Sequence, residues 1–140
     1  MIYTTNFASL RRLPSDIIPI SICGKAPEWY NGIQYKKLAP KYDFFMKWKQ
    51  NHDNKFYIEH FQKEVLDTLF SSEVVLQLLL KVGNLKGLNY SPEIALVCYE
   101  PKPPENMIFE DIIKDGSKYF CHRHLVAKWF RDNGYEVREF

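Results

Sequence analysis

Short apolar runs and longer stretches with helical spacing alternate along this chain. Short runs rich in apolar and β-branched residues occupy 1–5 and 17–23, a continuous apolar run occupies 94–99, and residues 135–140 are a further short candidate strand. Segments of this length that are rich in β-branched and aromatic residues predict strands. The run at 94–99 has no polar interruption, which is typical of a strand covered on both faces of a sheet. Pro19 lies inside the second run and indicates a strand at the sheet edge.

Four longer stretches place apolar side chains three or four residues apart, which is the spacing of one helix face. These predicted helices cover residues 42–50, residues 55–69, a segment from Ser71 or Ser72 to about residue 82, and a segment from about Cys121 to Asn133. The apolar positions that define the faces include Phe44, Phe45, Trp48, Ile58, Phe61, Val65, Leu69, Leu125, Val126, Trp129 and Phe130.

The remaining segments carry weaker signals. Residues 7–13 predict a short helix that Pro14 stops, because proline cannot continue a helix. Residues 25–40 contain too many Gly, Pro and Asn residues for regular structure and predict a long loop. A second loop is predicted at 101–118, with a helical turn at 109–113.

Strands that alternate with helices predict an α/β protein. We expect residues 1–140 to form a single domain, a small three-layer fold with a mostly parallel sheet of about four strands. In such folds ligands bind beyond the carboxyl ends of the strands, where the strand order reverses. The loops after Thr5, Cys23 and Tyr99, together with the start of the last helix, are therefore predicted to line a crevice.

The charge balance bears on possible partners. Nineteen basic and seventeen acidic residues give a net charge of +2, which does not favour nucleic-acid binding through bulk charge. Lys36, Lys37 and Lys41 form part of the densest basic region, which is interleaved with aromatic residues. We expect this region to be a solvated surface.

The sequence also bears on cellular location. The N-terminus lacks the basic and long apolar regions of a signal peptide. The longest apolar block, residues 74–82, is interrupted by Gln77 and Lys81 and is far shorter than the roughly 20 residues that span a bilayer. Three cysteines are an odd number without the spacing of a disulfide framework. We therefore predict a soluble cytoplasmic protein with no membrane partner.

The candidate chemistry centres on the run Cys121-His122-Arg123-His124, where the last helix begins. Free backbone N–H groups and the helix dipole favour an anion there. Arg123 is the predicted ligand for a phosphate or carboxylate, and its alternative role is to pair with Glu100 or Asp111.

Two residues, one in this run and one in the strand end before it, are predicted to be catalytic. His122 and Glu100 are the candidate acid and base, and Glu100 has the alternative role of orienting Arg123 or His122. His124 is expected on the surface or in a cap. Cys121 is also a predicted ligand contact, and it is either a nucleophile with a lowered pKa or a small buried residue.

Other expected ligand contacts are the side chains of Thr4, Asn6 and Tyr35, which offer polar groups and a stacking ring. No P-loop, Gly-x-Gly-x-x-Gly or Gly-x-Ser-x-Gly motif occurs, and no cofactor is predicted. Cys121, His122 and His124 with Cys23 are ligand types for zinc. Because no Cys-x2-Cys or His-x3-His spacing supports such a site, no metal is predicted.

The C-terminal half carries Cys98-Tyr99-Glu100, then Cys121-His122-Arg123, then Leu125-Val126-Ala127, followed by Trp129 and Phe130. With these motifs the chain resembles domain-of-unknown-function family 488. Similar pieces in the N-terminal half are the runs at 1–4, 19–23 and 35–40. The loop of twenty residues between Glu100 and Cys121 is longer than expected for the family. The resemblance implies an α/β fold with a site near the Glu and the Cys-His-Arg, and it implies no activity.

These observations lead to two hypotheses. In the first, the protein binds a phosphate-bearing small molecule, a nucleotide or nucleoside derivative, in the crevice beside the last helix. Glycosidic or phosphoryl chemistry fits that ligand, and whether the protein is an enzyme is left open. In the second, it is a protein-interaction or nucleic-acid accessory module whose working surface is the aromatic and lysine-rich region 29–49.

Overall fold

A computed structural model describes residues 1–84 and 93–140, with the side chains of residues 1–82 and 93–140. Within these residues, five parallel strands form one sheet with the order β3-β2-β4-β1-β5. The strands are β1 (Ile2–Asn6), β2 (Ile17–Ser21), β3 (Ile33–Gln34), β4 (Glu93–Cys98) and β5 (Val137–Glu139). The α/β fold and the parallel sheet are therefore confirmed.

The sheet has five strands, where about four were expected. The additional strand, β3, has two residues and lies in the segment predicted as a long loop. It pairs with Ile20 and Ser21 of β2, so β2 is not the edge strand that Pro19 suggested. Pro19 is nevertheless compatible with this position, because β3 does not extend to it. The Pro19 carbonyl instead accepts a hydrogen bond from the Tyr30 hydroxyl at 3.3 Å.

Five α-helices connect these strands within the described chain. They are α1 (Tyr42–Asn51), α2 (Asn54–Glu64), α3 (Ser72–Asn84), α4 (Phe109–Ile113) and α5 (His122–Asp132). Short 3-10 helices cover Phe7–Arg12, Lys36–Leu38 and Leu66–Thr68. The predicted helix at 55–69 ends earlier than expected, at Glu64, and its last apolar positions, Val65 and Leu69, flank the 3-10 helix Leu66–Thr68. None of the described helices has the length and apolar character needed to cross a membrane.

The helices cover one face of the sheet. Ile20, Ile94 and Leu96 of the central strands pack in the same buried cluster as Phe44 of α1 and Phe130 of α5. Because successive strand residues point to opposite faces, Val97 lies on the other face. There it packs with the 3-10 helix Phe7–Arg12 and the loop between β2 and β3, through Phe7 and Tyr30. The second cluster is much smaller than the first.

The strand order creates a switch point between β2 and β4. The connection that leaves β2 leads to β3 at one edge of the sheet, whereas the connection that leaves β4 leads to β5 at the other edge. The two strands are paired in register from Ile17 with Glu93 to Ser21 with Val97. Their carboxyl ends therefore lie side by side while the chain departs in opposite directions, which opens a crevice in parallel sheets.

Candidate functional site

A cavity of about 750 Å³ lies at this switch point. The residues that follow β2 and β4 line one side, and the start of α5 closes the inner end. Helix α1 lines the opposite side. The lining residues include Cys23, Lys25, Tyr42, Phe45, Trp48, Lys49, Tyr57, Cys98, Tyr99, Glu100, Phe120, Cys121 and His122. The loops after Cys23 and Tyr99 and the start of the last helix thus line the crevice, and the loop after Thr5 does not appear in the lining.

Rings and lysines characterise the α1 side of the cavity. Tyr42 is 72% exposed at the mouth, and Phe45 and Trp48 lie deeper on the same helix. The Lys49 ammonium lies 5.3 Å from the centre of the Phe45 ring. Trp48 is fixed by a 2.7 Å hydrogen bond from its indole Nε1 to Asn54. The mouth of the cavity is therefore both aromatic and cationic on this side.

All three cysteines of the chain lie at the inner end. Cys98 and Cys121 form a disulfide between the end of β4 and the residue before α5. Cys23 is a free buried thiol that donates to the Val97 carbonyl at 3.7 Å. Burial, helped by the nearby Glu100 carboxylate, raises the pKa of Cys23 to about 12, so this thiol is protonated at neutral pH. The sequence suggested Cys23 and Cys121 as possible partners but did not include Cys98, because the three residues come from three separate segments.

His122 is buried and neutral. Its Nε2 lies 2.8 Å from the Ile22 carbonyl oxygen, and since a carbonyl only accepts, Nε2 carries the proton. Nδ1 is then an acceptor, 4.0 Å from the Cys121 sulfur. Burial lowers the pKa of His122 to about 4, although the bond to Ile22 acts in the opposite direction. At neutral pH, His122 therefore presents an unprotonated Nδ1 to the cysteines.

Glu100 is half-buried and lines the cavity. Burial raises the pKa of its carboxyl above the ordinary value, against the opposing effects of its own backbone N–H, Arg123 and Lys49. The Glu100 carbonyl accepts hydrogen bonds from Arg123 at 3.0 Å and from Asn6 at 3.3 Å. Arg123 and Asn6 thus hold the backbone of Glu100 in place, and Glu100 lines the cavity.

Arg123 does not line the cavity, which corrects its expected role as the anion ligand. Its side chain has no exposed surface. It donates to both carboxylate oxygens of Glu139, at 3.2 and 2.7 Å, and to the carbonyls of Glu100 and Pro101. A further N–H points at the Cys98 sulfur at 3.6 Å. All five guanidinium N–H groups therefore have a protein acceptor.

The other expected ligand contacts are also away from the cavity. The Thr4 hydroxyl is buried and donates to Glu139 at 2.6 Å. The Asn6 side chain accepts from Ser9 N–H and caps the first 3-10 helix. Tyr35 packs against the larger core. Of the predicted site residues, the structure brings together Glu100, Cys121 and His122, and leaves Arg123, Thr4, Asn6 and Tyr35 outside the lining.

Several relevant residues escaped sequence reasoning. Glu139 is the partner of Arg123, rather than Glu100 or Asp111, because β5 runs beside β1 and brings Glu139 opposite Thr4. His124 is buried, not on the surface, and burial lowers its pKa to about 4. Trp48 and Lys49 belong to the lysine-rich aromatic region that the sequence did single out, and only the fold places them beside Glu100.

No family model, curated protein or solved structure matches this chain. The resemblance to domain-of-unknown-function family 488 stays a prediction that rests on the two-part motif around Glu100 and Cys121. The function is therefore argued from the geometry of the cavity.

Proposed function

We propose that this protein binds a phosphate-bearing small molecule, a nucleotide or nucleoside derivative, in the cavity between the ends of β2 and β4. The cavity is the observation that carries the proposal. Its volume of about 750 Å³ falls within the roughly 300–1,000 Å³ of small-molecule pockets. Its place at the switch point of a parallel sheet is where ligands bind in this class of fold. The resemblance to family 488 points to the same part of the chain.

The aromatic side of the cavity supports recognition of a base. Tyr42 exposes most of its ring at the mouth, and Phe45 and Trp48 continue the aromatic surface inward. Stacking of a base on such a ring contributes about 1–3 kcal/mol and needs no particular hydrogen bonds. A nucleoside stacked on these rings would direct the polar edges of its base toward the opposite side of the cavity, which is more polar.

The anionic group is assigned to Lys49, Lys25 and the first turn of α5, and not to Arg123. Both lysines line the cavity and are exposed. Cys121, the residue before α5, makes no side-chain cap hydrogen bond. The first N–H groups of a helix lack intrahelical acceptors and carry the positive end of the dipole, so they favour a phosphate.

Of the two predicted catalytic residues, Glu100 is better suited to proton transfer. Its carboxyl lines the cavity and its pKa is raised, which brings it closer to the range in which acids and bases exchange protons at neutral pH. His122 has Nε2 bonded to Ile22 and its pKa lowered to about 4. We therefore assign acid or base chemistry on a bound substrate to Glu100, at a glycosidic or phosphoryl centre.

The test is direct binding. Native mass spectrometry of the purified chain comes first, to look for a co-purified molecule of nucleotide size. Isothermal titration with nucleoside monophosphates and with the matching nucleosides follows. We expect the monophosphates to bind about 10- to 150-fold more tightly, since one charge-assisted contact contributes roughly 1.5–3 kcal/mol. Equal affinity for both, or no binding by either, contradicts the proposal.

A matched pair of lysine variants locates the phosphate. Lys49→Gln removes a cation that lines the cavity, whereas Lys47→Gln removes an exposed cation on the same helix outside the lining. We expect Lys49→Gln to weaken monophosphate binding about tenfold and to leave nucleoside binding nearly unchanged, while Lys47→Gln changes neither. A similar effect of the two substitutions means that the phosphate binds elsewhere.

The alternative, an interaction module that uses region 29–49, is supported by the exposure of its charged and aromatic residues. Lys36, Lys37 and Lys41 are exposed, and Trp29 is 60% exposed beside Phe7. Neutralising the three lysines should abolish binding to a protein or nucleic-acid partner and leave monophosphate binding intact. Measuring partner binding and monophosphate binding with this triple-lysine variant therefore distinguishes the two functions.

A further inference from the structure

The three cysteines and His122 lie close together at the inner end of the cavity. Sγ of Cys23, Sγ of Cys98 and a ring nitrogen of His122 all lie within 4.8 Å of one another. Cys121 lies beside this group, with its sulfur bonded to Cys98 and 4.0 Å from Nδ1 of His122. All four residues are buried.

These side chains are the ligand types of a zinc site. Zinc prefers four thiolate or imidazole ligands in a tetrahedron, and a set of three cysteines and one histidine is a standard combination. Soft sulfur ligands also exclude Mg²⁺ and Ca²⁺, which prefer oxygen. The sequence alone predicted no metal, because the ligands are supplied by the ends of β2 and β4 and the start of α5.

His122 is oriented in the way that metal-binding histidines are. Its Nε2–H donates to the Ile22 carbonyl at 2.8 Å, which fixes the tautomer and directs the Nδ1 lone pair toward the cysteines. A hydrogen bond of this kind from the distal nitrogen to a backbone carbonyl is the usual second contact of a metal-bound histidine. The imidazole therefore needs no rearrangement to coordinate an ion.

The Cys98–Cys121 bond must be reduced before these two residues can bind a metal. A dithiol reductant supplies two electrons and two protons, gives two thiols, and is itself oxidised to a disulfide. The two Cα atoms are 7.4 Å apart. This separation leaves room for the freed sulfurs to move to about 3.8 Å from each other, as two ligands 2.3 Å from one zinc require.

The surroundings favour a thiolate at Cys98. The Arg123 guanidinium donates to the Cys98 sulfur at 3.6 Å. The Cys23 thiol donates a weak hydrogen bond to the Val97 carbonyl at 3.7 Å, and this proton is released when the sulfur binds a metal ion. Glu100 lies near as well, since its carboxyl is within 4.8 Å of the sulfurs of Cys98 and Cys121.

We propose that the reduced protein binds a zinc ion through the sulfurs of Cys23, Cys98 and Cys121 and through Nδ1 of His122, at the inner end of the cavity. Each thiol releases one proton on binding. All four ligands line the cavity, so the ion is accessible from it and Glu100 is the carboxyl nearest to the ion. This proposal is independent of the nucleotide proposal, because zinc binding is measured without any organic ligand.

The experiment uses the full chain, reduced with a dithiol, stripped with a chelator and exchanged into reductant-free anaerobic buffer. Co²⁺ is added first as a spectroscopic probe, and Zn²⁺ is then titrated against a chromogenic chelator. We expect one cobalt ion per chain, with the intense sulfur-to-cobalt charge-transfer band and the visible bands of a tetrahedral site, displaced by one zinc ion. Wild-type protein without the charge-transfer band overturns the proposal, whatever the variants do.

Variants identify the ligands. Cys23→Ser, Cys121→Ser and His122→Ala should each weaken zinc binding by roughly a hundredfold or more, and the cysteine variants should also weaken the charge-transfer band. His124→Gln is the matched control, because it changes another buried histidine of α5 that lies outside the cluster. Circular dichroism of each variant establishes folding. A folded Cys23→Ser protein that binds zinc as tightly as wild type overturns the ligand set.

Discussion

The guanidinium of Arg123 is a permanent charge with no exposed surface. A buried charge of this kind is tolerated only when its hydrogen bonds are satisfied and an opposite charge is close. Glu139 supplies that charge, and both of its carboxylate oxygens accept hydrogen bonds from the guanidinium. The carbonyls of Glu100 and Pro101 accept two further N–H groups. Arg123 therefore joins α5 to β5 and to the segment after β4, and it acts on the cavity by fixing Glu100.

Removing this side chain should destabilise the protein strongly. We expect Arg123→Ala to lower the free energy of unfolding by about 3–5 kcal/mol, because Glu139 would stay partly buried without its partner. Arg138→Ala is the control, since Arg138 is exposed on the same strand as Glu139 and should change stability by no more than about 0.5 kcal/mol. Urea unfolding followed by circular dichroism measures both. A loss below about 1 kcal/mol for Arg123→Ala contradicts a structural role for this residue.

The sequence showed where Arg123 lies but not what it contacts. Its place in the first turn of a helix follows from the apolar spacing after Cys121, and that prediction is confirmed. Its partner lies sixteen residues later on β5, and the pairing depends on the parallel register of β5 with β1. Register between strands is a tertiary property, so local sequence patterns did not distinguish Glu139 from Glu100 or Asp111.

At the scale of whole elements, Asn54 fixes how α1, α2 and the segment after α4 meet. This residue is 3% exposed at the start of α2. Its amide nitrogen donates to the carbonyls of Ile113 and Lys114, at 3.1 and 2.6 Å, and its oxygen accepts from the Trp48 indole. One buried amide thus connects three segments and positions a ring of the cavity.

Replacing this amide by a carboxylate tests that connection. Asn54→Asp keeps the acceptor for Trp48 but places a negative charge against two carbonyl oxygens. We expect a loss of about 2–4 kcal/mol in unfolding free energy and a red shift of the tryptophan emission, because the indole becomes more exposed to water. Asn51→Asp, in an exposed position that accepts from Asp53 N–H, is the control. Unchanged emission in Asn54→Asp would show that Asn54 does not position Trp48.

Element prediction succeeded where the chain has long periodic segments. The strands at β1, β2 and β4 and the helices α1, α2, α3 and α5 were all predicted. The strand that was not predicted, β3, has only two residues, which is too short to show an alternation of apolar and polar side chains. Pro19 suggested an edge strand because proline lacks the N–H that a neighbouring strand would accept. Because β3 is so short that it pairs only with Ile20 and Ser21, it needs no N–H from Pro19.

For the molecule as a whole, the Arg123–Glu139 contact links folding to pH. Burial alone would raise the pKa of Glu139, but the hydrogen bonds and charge of Arg123, with the Thr4 hydroxyl, lower it below the ordinary value of 4.5. A carboxyl with a lowered pKa in the folded state binds its proton less readily than in the unfolded state. Its contribution to stability is therefore complete above about pH 4.5 and is lost as the pH falls through the folded-state pKa.

The Glu139→Gln variant isolates this contribution. We expect it to be less stable than wild type at pH 7, with a difference that shrinks as the pH is lowered below 4.5, because the wild-type carboxyl then becomes neutral as well. Glu136→Gln is the control, since Glu136 is exposed and pairs with Arg138 at the surface. Unfolding free energies measured from pH 3 to pH 7 give both curves. A constant difference between wild type and Glu139→Gln across this range would contradict the linkage.

The location of the cavity was predictable at this scale, while its chemistry was not. Strands alternating with helices predicted the carboxyl edge of a parallel sheet, and the cavity lies there between β2 and β4. The grouping of Cys23, Cys98 and Cys121 depends on which strands are neighbours. Strand order is decided by the packing of the whole chain, so spacing along the sequence did not reveal this cluster.

The central position of β4 also affects how the chain is made. The ribosome produces β1 and β2 early, but these two strands are not neighbours in the sheet. Each of them pairs with β4, which lies between them and is synthesised much later. Until residue 98 has left the exit tunnel, two apolar strands expose unpaired backbone edges on a nascent chain. Such edges can pair with other unfolded chains, so we expect a pause in translation before β4 to favour aggregation of the nascent chain.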